Sequence, residues 1–272
     1  AATVARLPDS AAGHALARVA ARGLAANPAP AAQLVLAELT NATDPGTRLE
    51  AIRGLASDVA GPPDPAAAPA VAGDVVDAAD RALIAALAGD HWPVIRQQAA
   101  AGMGPRCARV GPRTALVTAV GDDAHVPVRV EAVAALAQCP NAELDQRLLG
   151  WIDDGAVPLP VRDRALAAFG ERPGATAALL ARFERWRGQA FSDDDALRLA
   201  IRAATALGQR GAAEAGPALL GAARDQAFPE LAATAIRALG LLGPACPAEA
   251  PPVLASLLGS DDQQLALAAR AA

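Results

Sequence analysis

Residues 90–104 read DHWPVIRQQAAAGMG. An aspartate, a His–Trp pair and an arginine crowd together in an alanine-rich chain, as a small site would. The stretch also carries a frame: Arg96, then Ala99, then Gly102-Met103-Gly104. That frame recurs as Arg48, Ala51, Gly54-Leu55-Ala56, as Arg129, Ala132, Ala135-Leu136-Ala137, and as Arg162, Ala165, Ala168-Phe169-Gly170. Looser copies place Ala203 before Ala206-Leu207-Gly208, Ala235 before Ala238-Leu239-Gly240, and Ala20 before Gly23-Leu24. A last one runs from Ala268 and Ala271 into Ala272. The stretch is therefore first of all one copy of a unit.

Taking the large residue as anchor gives Leu24, Leu55, Met103, Leu136, Phe169, Leu207, Leu239 and Ala272, with gaps of 31, 48, 33, 33, 38, 32 and 33. The long gap holds GPPDPAAAPAVAG, so a Pro/Ala-rich loop insertion is expected at about 60–73. Each unit contains two helices. The second carries apolar residues at i, i+4, i+7 and i+8, as in Val161, Ala165, Ala168 and Phe169, which is one face of an α-helix. The first lies upstream, in segments such as AAQLVLAELT, LDQRLLGWI and PPVLASLLG, and no segment alternates as a strand would. A helical hairpin of this kind cannot bury its apolar stripe alone and must stack on its neighbours.

Composition narrows the function classes. Hydrophobic residues make up 53% of the chain but aromatics only 3%, which suits closely packed helices built from Ala, Leu and Val. Every basic side chain is arginine, a bias that fits a GC-rich genome and calls for no functional explanation. The net charge of −5 argues against a general nucleic-acid binder, which needs cations for phosphates. No apolar run is long enough to span a bilayer. The three cysteines, Cys107, Cys139 and Cys246, match no zinc pattern. Free thiols in a reducing compartment are the first expectation, and a Cys107–Cys139 bond is the alternative. The cytoplasm is the expected location, with export as the alternative if a signal segment was removed before Ala1.

The frame Asp-x(n)-Val-Arg-x2-Ala-x2-Ala-Leu-Gly, sharpest at 90–104, 122–137 and 153–170, resembles the HEAT-repeat family, in particular the short bacterial HEAT-like repeats of phycobilisome-lyase type. The resemblance implies an all-α fold: an α-solenoid, a right-handed superhelix of about seven HEAT-like hairpins. It covers 1–272 as a single domain, expected to continue or to be capped beyond 272. It also implies that Arg48, Arg96, Arg129 and Arg162 bond neighbouring turns, a task suited to a planar fork of donors. The pattern departs at Ala200 and Ala232, where that arginine is missing.

The acidic pairs Asp122-Asp123, Asp153-Asp154, Asp193-Asp194-Asp195 and Asp261-Asp262 each precede a second helix, where carboxylates cap free N–H groups. Trp92, His125, Pro158 and Phe228 share one repeat position, beside prolines that favour a first helical turn. Positions one, two and five after the arginine site should face outward on the concave side of the second helices. Together with Trp92, the candidate partner-binding residues are Glu50, Arg53, Gln97, Gln98, Glu131, Asp163, Arg164, Arg202 and Arg237. No Gly-rich phosphate loop, nucleophile elbow or metal-ligand spacing accompanies them, so no catalytic residue, metal or cofactor is assigned.

The expected function is a non-catalytic scaffold or adaptor for a protein partner, bound on the concave face or along the acidic turn edge, within a larger assembly. The resemblance also implies an alternative, an enzyme or enzyme subunit of the bilin-lyase-like class. A HEAT-like nucleic-acid binder ranks last because of the acidic balance.

Overall fold

The structure, a computed structural model, describes residues 9–27, 29–57, 69–139, 141–225, 227–260 and 262–272. They gather into two compact units, Ala1–Leu144 and Asp145–Ala272. Unit 1 holds α1 (Ala11–Ala25), α2 (Pro30–Leu39), α3 (Pro45–Ser57), α4 (Pro69–Gly89), α5 (Pro93–Met103), α6 (Val110–Asp122) and α7 (Val126–Ala137). Helix α8 (Ala142–Asp153) begins in unit 1 and ends in unit 2. Unit 2 continues with α9 (Leu159–Gly170), α10 (Thr176–Gln189), α11 (Asp194–Gln209), α12 (Gly216–Ala223), α13 (Pro229–Leu242), α14 (Ala250–Leu257) and α15 (Gln263–Ala271).

The described residues form helices and no strands. They make up seven pairs, α2–α3 to α14–α15, preceded by α1. Every upstream segment read from the sequence lies in an even-numbered helix, and every frame copy in an odd-numbered one. This is the α-solenoid class of stacked hairpins. In unit 1, α1, α3, α5 and α7 pack successively as one layer, while α2, α4 and α6 form a second. In unit 2, α9, α11, α13 and α15 form the first layer, backed by α10, α12 and α14.

The frame explains the packing. Anchors Leu55, Met103, Leu136, Phe169, Leu207 and Leu239 are buried between the layers. Truncating such a side chain to Ala costs about 2–5 kcal/mol. The small residues flanking the anchors let successive odd helices approach closely. A Cβ on Gly54 would meet Ala25 Cβ at 3.0 Å, one on Gly102 would meet Ala56 Cβ at 2.8 Å, and one on Gly208 would meet Ala238 Cα at 2.6 Å. Gly170 faces Ala206 at 3.2 Å. In each pair the third residue of one triplet meets the first residue of the next, and one of the two is glycine.

Helix starts follow the chain's punctuation. Trp92, His125, Pro158 and Phe228 are all N-cap residues, each with a proline in the following turn. None of their side chains caps the helix: Trp, Pro and Phe carry no acceptor, and Nδ1 of His125 faces Arg96 instead. The expected aspartate caps form at Asp193 and Asp262, whose carboxylates accept two backbone N–H groups each. Asp123 differs from that expectation, and Asp90 behaves as it does. Each accepts the N–H two residues on, Trp92 at 2.9 Å and His125 at 2.8 Å, and so braces the turn before the helix.

Two expectations need correction. Cys107 and Cys139 form a disulfide, with Cα atoms 5.8 Å apart and both residues buried, so free thiols hold only for Cys246. The bond joins the turn after α5 to the end of α7, which are neighbours once the odd helices stack. The loop insertion expected at about 60–73 is shortened, since α4 begins at Pro69. Its remaining residues, with Asp261 of the last acidic pair, lie outside the described residues.

Candidate functional site

The recurrent arginines are structural. Arg48 grips Asp90 with Nε and Nη2 at 2.7 and 3.1 Å, while its Nη1 donates to the Ala42 and Thr43 carbonyls at 2.9 and 3.0 Å. Arg96 repeats the arrangement one unit on, with Asp123 at 2.7 and 2.9 Å and the Asp90 carbonyl at 2.8 Å. Its Nη2 also faces Nδ1 of His125 at 3.0 Å, and a guanidinium only donates, so that nitrogen accepts. Arg129 donates to the Val120 carbonyl at 2.7 Å, and Arg162 to the Ile152 carbonyl at 3.1 Å. Burial raises the Asp90 carboxyl, but the bonds from Arg48 and the Trp92 N–H outweigh it, and the group stays below its ordinary value. Asp123 is lowered in the same way by Arg96 and the His125 N–H, against its own burial.

Of the acidic pairs, Asp122, Asp154 and Asp194 stay exposed, while Asp123, like Asp90, is held by a guanidinium group. Asp153 takes part too: Arg182 donates to it from Nε at 3.1 Å and Arg185 from Nη2 at 2.6 Å.

The candidate residues occupy the surface of the odd-helix layers. In unit 1, Glu50 accepts from Arg22 of α1 at 2.9 Å and from Arg53 of its own helix at 3.3 Å. The Arg22 bond is the largest cause of its lowered pKa. Gln97, Gln98 and Glu131 are half-buried on α5 and α7. Trp92 is half-exposed, its ring edge-on to His91 with centroids 6.4 Å apart. In unit 2, Asp163 of α9 binds Arg202 of α11 through two bonds of 2.6 and 2.9 Å. Arg164 is half-buried on α9, and Arg237 is exposed on α13 with Nη2 on Thr234 Oγ1 at 3.0 Å. The positions thus reach the surface, but Asp163 and Arg202 bind each other across neighbouring helices, and Glu50 holds both Arg53 of its own helix and Arg22 of α1.

Unit 2 adds residues that the repeat frame missed. An open depression of about 470 Å³ is lined by Leu159, Asp163, Arg198, Ile201, Arg202 and Glu230. A second, of about 680 Å³, is lined by Glu230, Arg237, Gln264, Leu267, Ala268 and Ala271. Arg198 lies two positions before the repeat's arginine site, on α11, at the position equivalent to Val94 of α5 and Glu230 of α13. Its spacing from Arg202, four residues on, was the available signal. Also unread was Asp80 of α4, a buried carboxylate that binds Arg109 and, at 3.1 Å, Arg106, which in turn donates to the Leu55 carbonyl at 2.8 Å. Those three residues lie outside the frame and hold the turn next to Cys107.

No helix among the described residues is long and apolar enough to cross a membrane. No curated protein matches the chain in sequence. Among solved structures, an engineered protein from a structural-genomics consortium is 22% identical, with a TM-score of 0.45, covering 98% of this chain and 76% of that one. A designed armadillo repeat protein is 20% identical, with a TM-score of 0.37, covering 88% and 97%. The family model described as HEAT repeats matches residues 183–272, which hold the second half of α10 and all of α11 to α15. The same triplet frame runs through the earlier pairs, and the chain's resemblance is to the HEAT-repeat family.

Proposed function

We propose that the chain is a non-catalytic scaffold or adaptor, one array of repeats that binds a protein partner through the outer face of its odd-numbered helices. The observation that carries this is the pair of open, part-apolar depressions on α9, α11, α13 and α15. HEAT-like folds serve protein interaction commonly, and a face of Ala, Leu, Ile and Arg suits a desolvated contact with a charged rim. The Cys107–Cys139 bond favours an oxidising compartment, and with it export over the cytoplasm.

Crosslinking mass spectrometry on the chain purified from its native source tests the reading. Partner crosslinks concentrated on α11, α13 and α15 are expected. Crosslinks confined to the even-numbered helices would move the interface and overturn it.

A further inference from the structure

On the odd-helix face of unit 2 the charges are unevenly satisfied. Arg202 is held by Asp163 through two bonds, as described above. Arg198, exposed on the same depression, has no carboxylate partner among the described residues, and neither does Arg237. Glu230 is exposed where the two depressions meet. Around these charges lie Leu159, half-buried, and Ile201, also half-buried, in one depression, with Leu267, 55% exposed, in the other. Two residues before Glu230, Phe228 packs on Phe191 with ring centroids 4.6 Å apart, and Phe191 is 80% exposed. In a chain with no tyrosine and four phenylalanines, an aromatic pair with one ring exposed and the other half-buried is an unusual allocation.

We propose that this face takes an amphipathic, acidic segment of another protein, with carboxylates on Arg198 and Arg237 and apolar side chains in the two depressions. The inference rests on the scaffold reading and names the chemistry of its partner. Charge complementarity selects the occupant: two guanidinium groups are available for carboxylates, and a basic segment would meet both of them unshielded. Arg202 does not compete, since its fork is already filled. Glu230 adds a restriction, because a carboxylate placed opposite it would be repelled, so the segment carries a neutral or basic residue there. Arg198 lies nine residues before its anchor and Arg237 two before its own. On the neighbouring helices α11 and α13 they are therefore offset by seven residues, about 10 Å along the axes, as well as by about 8–10 Å between axes. Long arginine side chains converge over that span, and carboxylates at positions i and i+7 of a bound helix, about 10 Å apart, can bridge them.

The test uses fluorescein-labelled synthetic helical peptides and anisotropy with the full chain. The first peptide has Glu at i and i+7 and Leu at i+3 and i+4. The second replaces both Glu by Lys, and the third replaces both Leu by Ser. The first should bind and should weaken as salt rises, while the other two should bind at least about tenfold more weakly. Arg198→Glu and Arg237→Glu should each weaken the first peptide about tenfold or more, whereas Arg224→Glu, on the exposed end of α12, should leave it unchanged. Circular dichroism of each variant shows whether it is folded. Equal binding of the Lys peptide, or binding untouched by both reversals in folded variants, would overturn the proposal. So would sedimentation showing that a second copy of the chain covers this face. If native crosslinks fall on α11–α15 but join a segment without acidic residues, this inference fails and the scaffold reading stands. If none falls there, both fail.

Discussion

At the scale of single residues, the arginine of the frame is the element most fully explained by its contacts. Arg96 satisfies a carboxylate of the next turn and a carbonyl of its own with one planar group, a geometry that a point-charge lysine cannot reproduce. Arg96→Ala should therefore lower stability by about 2–4 kcal/mol, and Arg96→Lys should recover only part of it, as read by urea denaturation. The paired aspartates give the pH dependence. Asp90 and Asp123 are lowered below the usual carboxylate range in the folded chain, so the unfolded chain takes up protons first as pH falls. Their contribution is complete above the ordinary carboxylate value and is lost as pH drops through the lowered one. Urea midpoints followed from neutral pH downward should fall steeply in this acid range, and less steeply for a chain with Asp90→Asn and Asp123→Asn. The repetition of these residues made their structural role legible in the sequence. Their pairing with one another was not, because the partner of each arginine sits in the following repeat, 27 residues on for Arg96 and 42 for Arg48.

Among the elements, the triplets decide how close neighbouring helices come. A methyl at Gly208 would press into the backbone of α13 at Ala238, and backbone cannot swing aside as a side chain can. Gly208→Ala should destabilise the chain by about 1–3 kcal/mol. Gly150, exposed mid-helix in α8 with open space around it, has no such neighbour. Gly150→Ala should raise the thermal midpoint, since it removes a helix penalty of up to about 1 kcal/mol. Helix existence and pairing were readable because the anchors repeat at one phase. The earlier start of α11 was not, since a local extension leaves the period of the anchors unchanged, and Arg198 escaped because the frame begins two residues after it.

For the whole molecule, the covalent state is the most direct check. Alkylation of the unreduced, denatured chain should modify one cysteine, Cys246, and reduction should release two more. Reduction should also lower the thermal midpoint, since the bond closes a loop of 32 residues and such links contribute about 2–4 kcal/mol. Sequence spacing could not decide between free and bonded thiols, because Cys107 and Cys139 meet only after α5 and α7 have stacked. The division into two compact units was equally invisible, as the repeat frame runs through residues 122–170 without a break.

The glycine of each close junction has a further consequence. In unit 1 it belongs to the later helix, as Gly54 and Gly102, and in unit 2 to the earlier one, as Gly170 and Gly208. A chimera that placed α13 directly after α3 would set Ala238 against Ala56, two methyl groups where the fold has room for one. The opposite splice, α5 after α11, would set Gly102 against Gly208 and leave a gap. The repeats are thus addressed as well as similar, and their order along the chain is written into the contacts between them.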